Sequence, residues 1–152
     1  MVSPPAPAPA EQQADRIVIE KAARRMTLLR DGQVIGCYRV STGSGGPGPK
    51  RKEGDRLTPE GTYHIAGRNP RSAYHLSLRI SYPDAADRAA AAARGENPGC
   101  DIMIHGLPNG RGWIGPLHRL RNWTAGCVAV TDAEIRDIWA LVPDGTPVEI
   151  RP

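Results

Sequence analysis

Two short motifs in this chain carry groups able to do covalent chemistry. His105-Gly106 comes first, and after seventeen intervening residues comes Thr124-Ala125-Gly126-Cys127. A cysteine attacks as the thiolate, so it needs a base or a lowered pKa. An imidazole titrates near neutral pH, which makes His105 the candidate base. A backbone carbonyl can hold its tautomer, as a carboxylate does in other triads. Gly126 lets the chain turn sharply into Cys127. Such a turn can aim successive backbone N–H groups at one point, as the oxyanion of acyl transfer requires. The competing reading is structural: a small buried residue after a glycine, and a histidine in a turn. On spacing alone both readings stand.

The elements around the motifs favour chemistry. Asp101-Ile102-Met103-Ile104 reads as a short buried strand that delivers His105. After the cysteine, Thr131 and Glu134 form a capping box. That box opens a helix with Ile135, Ile138, Trp139 and Val142 on one face. Upstream, Ile17-Val18-Ile19 opens a first strand, and Asp31-Gly32 is a two-residue hairpin signal between strands at 24–30 and 33–40. Residues 41–60 are rich in Gly, Pro and charge and read as a long loop, a class that is often functional in compact domains. Strands follow at 61–66 and 73–80. Asp84 caps an Ala-rich helix over 85–94, stopped by Gly95. Pro143-Asp144-Gly145 turns into a last strand over 146–151.

Composition sets the outer bounds. The 152 residues suffice for one domain with a core. There is no Phe, and Trp and Tyr number only three and four, so Ile, Val, Leu and Met must fill that core. Frequent Gly (17) and Pro (15) favour a β-rich architecture over a helical bundle. The net charge is +4. Its one basic cluster, Lys50-Arg51-Lys52, is followed at once by Glu53 and Asp55, too short and too neutralised for a nucleic-acid stripe. A mildly basic surface suits an anionic polymer such as a cell-wall glycopeptide. No apolar run approaches the ~18 residues of a membrane span. The Pro/Ala-rich residues 1–14 read as a linker, or as what remains of an export segment, ahead of a domain over 15–152. Three cysteines allow one pair at most, Cys37 with Cys100 if Cys127 is the nucleophile, although Cys37 lies in an apolar strand pattern that suits a buried thiol. His64 and His118 have no ligand spacing with other His or Cys, so no metal is expected.

The pattern H-G-x(17)-T-x-G-C resembles the signature of the L,D-transpeptidase catalytic domain, the YkuD family. The resemblance extends over nearly all of the chain after the linker. It takes in the opening hairpin, Gly54-Asp55-Arg56-Leu57-Thr58-Pro59-Glu60-Gly61 and Ser72-Ala73-Tyr74-His75-Leu76-Ser77. It implies a mainly β fold, a compact β-sandwich of mixed sheets with two or three short helices. It also implies a bacterial periplasmic or secreted enzyme, a monomer without metal or cofactor. Cys127 would attack the third residue of a peptidoglycan stem peptide, usually diaminopimelate, with loss of the terminal D-Ala. The thioester would pass to an amine, giving a cross-link or attachment of an outer-membrane lipoprotein. In these terms Cys127 is the nucleophile, His105 the base and Gly106 the carbonyl that orients it. The N–H groups of Ala125, Gly126 and Cys127 form the oxyanion hole. One departure stands out: many members carry Arg or Asn two residues after the cysteine, and here it is Ala129. That places the chain near a T-x-G-C-x-A-V branch, which includes relatives of enzymes that cut peptidoglycan–lipoprotein links.

Four further residues are candidate substrate contacts: Tyr74, His75, Trp113 and Thr124. Each has a plain structural alternative as a sheet, core or turn residue. Arg119 and Arg121 could meet a stem-peptide carboxylate or face solvent. Trp123 is expected to pack against the turn and Trp139 to sit in the core. Three other functions compete with transpeptidation. A thiol amidase or carboxypeptidase would only shorten stems. A binding module would have no use for a reactive thiol. A sortase-like enzyme needs a catalytic Arg on another strand, and Arg136 falls on the helix instead.

Overall fold

The computed structural model describes residues 3–152. Eight strands form one mixed sheet: β1 (Arg16–Glu20), β2 (Arg25–Arg30), β3 (Gln33–Arg39), β4 (Gly61–Ser72), β5 (His75–Ile80), β6 (Met103–His105), β7 (Val128–Ala129) and β8 (Pro147–Arg151). Their order is β3-β2-β1-β8-β4-β5-β6-β7. Two helices, α1 (Ala85–Ala93) and α2 (Asp132–Leu141), and two 3-10 segments, Ala10–Gln12 and Gly112–Leu120, complete the fold. The expected mainly β architecture with mixed pairing and short helices is what forms.

The β2–β3 hairpin closes through Asp31 (φ 49°) and Gly32 (φ 78°). Both residues take positive φ, as a two-residue turn matched to strand twist requires. The last strand joins the two halves of the sheet. β8 runs parallel to β1 and antiparallel to the start of β4. From Ile65 onward β4 pairs instead with β5, through two register shifts. Such bulges bend a strand, and here they let one strand serve both halves. The strand expected over 61–66 is longer, because Gly67, Asn69 and Pro70, turn-prone types, stay in it. They belong to the bulged extension.

Ile17, Ile19, Met26 and Leu28 from one half share a core with Leu76, Leu78, Ile80, Ile104 and Val128 from the other. Ile135, Ile138 and Trp139 of α2 complete it. Full burial of each such aliphatic side chain stabilises by about 1.5–3 kcal/mol. Both helices carry reciprocal capping boxes, Asp84 with Asp87 and Thr131 with Glu134.

Residues 8–14, read as part of a linker, lie against α2, and Cys37, expected as a buried thiol, is exposed. The Ala8 and Ala14 N–H groups donate to the Ala140 and Leu141 carbonyls of α2 at 2.8 and 2.7 Å, and the Arg30 guanidinium donates to the Ala10 and Gln13 carbonyls. Met1 and Val2 of that stretch lie outside the described residues. Cys37 and Cys100 do not pair, and both thiols are exposed. Cys37 is on edge strand β3 and Cys100 precedes β6, with five strands between them in the sheet order.

Candidate active site

β6 and β7 bring the two motifs together. They pair in parallel, Ile104 beside Val128 and His105 beside Ala129. One step back in that register, Cys127 falls alongside Met103, two residues from His105 along the strand. α2 holds the chain after His105. Its first residue, Asp132, accepts from the Leu107 N–H at 2.9 Å, and Glu134 pairs with Arg119 of the Gly112–Leu120 segment at 2.8 Å. Gly106 is tightly enclosed here, since a Cβ would stand 2.7 Å from Asp132 Oδ1 and 3.0 Å from the Tyr74 carbonyl oxygen.

The His105 ring is buried, 3% exposed. Its Nδ1 lies 2.7 Å from the Gly106 carbonyl. That acceptor assigns the proton to Nδ1 and leaves Nε2 with a lone pair. Tyr74 stacks on the imidazole at 4.3 Å between ring centroids, and Trp123 lies 6.0 Å away on a tilted plane. Burial pushes the His105 pKa below the ordinary imidazole value, partly offset by the bond to Gly106.

The Cys127 turn is fixed by its neighbours. Thr124 Oγ1 donates to the Cys127 carbonyl at 2.7 Å and accepts from the Gly126 N–H at 3.1 Å. Thr58 Oγ1 donates to the Gly126 carbonyl at 2.8 Å and accepts from the Gly43 N–H. Gly126 takes φ 137°, and a Cβ there would stand 2.8 Å from the Leu57 carbonyl. The loop over 41–60 is therefore stitched to the turn from both ends. Ser41 bridges to Ala129 and Gly43 to Thr124. Lys21 Nζ holds the loop from below, donating to the Gly48 and Thr58 carbonyls and to Glu60.

The Cys127 Sγ–H donates to the Asp101 carbonyl at 3.3 Å. Burial raises its pKa, with the Met103 N–H acting in the opposite sense. The resting pair is thus a neutral thiol and a neutral imidazole. Beside the thiol opens a cavity of about 400 Å³, lined by Cys127, Ala125, Asp101, Arg56, Glu53 and Lys50 among others. Its rim carries both signs of charge.

The four candidate substrate contacts separate. Tyr74 is 38% exposed and lies against His105. His75 lines a different cavity with Ser72, Asn109 and Asp132, its Nδ1 3.8 Å from the Asp132 carboxylate. Trp113 is 82% exposed, neither core plug nor packed on His105; Trp123 occupies that place. Thr124 is 4% exposed, and its hydroxyl is committed within the turn as a staple. The three expected oxyanion donors are also unequal, because the Gly126 N–H already serves Thr124 Oγ1. Sequence reasoning missed Thr58, Arg56 and Asp101. Thr58 sits within a quoted segment, but its reach to Gly126 depends on a fold of the loop that no local pattern encodes.

Comparison with known proteins agrees with this fold. Residues 14–150 match the model of the YkuD family, the L,D-transpeptidase catalytic domain. The putative L,D-transpeptidase YafK of Escherichia coli K12 is 31% identical over 112 residues, covering 72% of this chain and 38% of YafK. Among solved structures, the K307A mutant of the helical cell shape determining protein Pgp2 from Campylobacter jejuni superposes with a TM-score of 0.67. It is 23% identical over 92% of this chain and 47% of Pgp2. An L,D-transpeptidase from Mycobacterium smegmatis gives 0.61 at 18% identity, covering 91% of this chain and 59% of that one. The chain thus spans less than half the length of YafK and of Pgp2, and the part it spans belongs to the L,D-transpeptidase (YkuD) catalytic-domain family.

Proposed function

We propose that the chain is a cysteine acyltransferase acting on peptidoglycan stem peptides outside the cytoplasmic membrane. The observation that carries this reading is the locked His105, its Nδ1 held by Gly106 and its Nε2 left basic, on the strand paired with the one that follows Cys127. The Cys127 proton passes to His105 Nε2 as Sγ bonds to the carbonyl carbon of the third stem residue. The Ala125 and Cys127 N–H groups stabilise the oxyanion. Collapse of the tetrahedral intermediate breaks the bond to the terminal D-Ala, whose nitrogen takes the proton from the imidazolium. An acceptor amine then attacks the thioester, and the thiol is regenerated. At rest Sγ donates to the Asp101 carbonyl, so the thiol turns toward Nε2 when substrate enters. Catalytic hydrogen bonds commonly tighten only at that stage.

Mass spectrometry of a purified disaccharide-tetrapeptide, incubated with the protein and a free D-amino acid, tests this. Exchange products or cross-linked dimers that vanish in Cys127→Ala support transfer. Tripeptide alone would make the protein a hydrolase of the same bond. Product formation that survives Cys127→Ala would sink the thiol mechanism.

A further inference from the structure

The chain between the two motifs builds a second cavity, of about 540 Å³, that shares no lining residue with the cleft at Cys127. Ile114, Leu117, Leu120 and Trp123 give it apolar walls. Leu117 and Leu120 are 63% and 80% exposed, so it opens to solvent. Arg111 and Arg121 also line it, and none of its lining residues is acidic.

His118 completes the lining and is 7% exposed. Its Nδ1 accepts the Trp123 indole N–H at 3.3 Å. Burial lowers its pKa to about 4, so the neutral ring carries its proton on Nε2. That Nε2 is buried and has no hydrogen-bond partner among the described residues. Orphaned buried donors are rare in native proteins, and each calls for an explanation such as a bound group. The backbone around it is hydrogen-bonded: Ser41 Oγ donates to the His118 and Arg121 carbonyls, both at 3.1 Å, and the Arg24 guanidinium donates to the Arg119 carbonyl.

We propose that this cavity binds a carboxylate carried on a small apolar group. Arg111, Arg121 and the His118 Nε2–H meet the carboxylate, while Ile114, Leu117 and Leu120 take the apolar part. Planar guanidinium groups match carboxylate geometry, and apolar walls with a few convergent donors are the usual form of a small-molecule site. Two sources present this chemistry: a free apolar amino acid, or the last residue of a peptide chain. The two cavities share no lining residue, although Trp123 of this one also lies 6.0 Å from the His105 ring, so the site is tested by binding and not by turnover.

The test is a titration of the full-length Cys127→Ala protein, followed by NMR chemical shifts. The ligands are leucine, N-acetylleucine and leucinamide. Saturable binding of leucine or N-acetylleucine is expected, with leucinamide about tenfold weaker or worse for want of a charge-assisted bond. Leucine alone binding assigns the site to the free amino acid, and N-acetylleucine binding as well or better assigns it to a chain end. Arg111→Ala and Arg121→Ala, both at exposed positions, should each weaken binding about tenfold with unchanged thermal midpoints. Equal binding of leucinamide, indifference to both arginine variants, or no saturable binding by any of the three would overturn the proposal. So would sedimentation with phosphatidylglycerol vesicles that requires Leu117 and Leu120 while no amino acid binds.

Discussion

In the half of the sheet made by β1, β2 and β3, every buried strand position is apolar: Ile17, Val18, Ile19, Met26 and Leu28. In the half made by β5, β6 and β7, the strands are two to six residues long and the buried positions include Ser77 and His105. Ser41, Thr58, Ser72 and Thr124 are buried around them. Backbone ladders and hydrocarbon hold the first half. The second half also has hydrocarbon, at Leu76, Leu78, Ile80, Ile104 and Val128, but adds side-chain hydroxyls. Thr58 and Thr124 bond backbone atoms of the Cys127 turn, Ser41 bonds the His118 and Arg121 carbonyls, and Ser77 bonds the Ser72 hydroxyl. Hydrocarbon gives stability with little demand on geometry, whereas a polar network gives position but is costly when any member is missing. The groups proposed to react sit in the half built for position.

Substitutions in the two halves should therefore separate activity from stability. The largest effect belongs to the reacting groups. His105→Gln should lower kcat/KM by about 10²–10⁴ with little change in thermal midpoint. Next comes a crossed pair. Leu28→Ala should cost about 2–5 kcal/mol of stability yet leave turnover per folded molecule unchanged. Thr58→Val, which orphans the Gly126 carbonyl and the Gly43 N–H, should cost only about 1–3 kcal/mol but cut turnover at least about tenfold, since small displacements of reacting groups are expensive. If both variants lose activity in proportion to stability, the distinction between the halves fails.

Two pH effects are smaller. Burial lowers the His105 pKa, so the base form persists into acid and the acid limb of kcat/KM should lie below the ordinary imidazole value of 6.5. A limb above that value would contradict a buried base. In the loop over 41–60, burial alone would raise the Asp55 pKa, but the N–H groups of Arg51, Lys52 and Leu57 and the Lys50 ammonium bring it to about 2. A depressed carboxylate contributes stability above its unfolded pKa of ~4 and loses it as pH falls through the folded value. Denaturation measured between pH ~4 and ~2 should thus be flatter in Asp55→Asn than in the wild type.

Legibility followed the same division. The Asp31-Gly32 turn, both helix caps and the buried face of α2 rest on local patterns, and each was readable before any coordinates. The strand before His105 and the turn before Cys127 are local features of the same kind. The rest depends on distant contacts. Gly67, Asn69 and Pro70 look like a turn until the β5 pairing draws them into a bulged strand. Cys37 lies in an apolar pattern, but β3 is an edge strand and its thiol faces solvent. Sequence alone leaves Thr124 open between turn and substrate, because its Oγ1 partners, Gly126 and Cys127, are settled only once the turn is closed.

Intact-protein mass spectrometry of the wild-type chain mixed with tetrapeptide tests the central claim most directly. The account predicts a covalent adduct with the mass of the stem peptide less its terminal D-Ala, mapped to Cys127, labile to hydroxylamine, slow to form in His105→Gln and absent in Cys127→Ala. Substrate consumed by wild type and Cys127→Ala alike with no adduct, or an adduct mapped to Cys37 or Cys100, would contradict it.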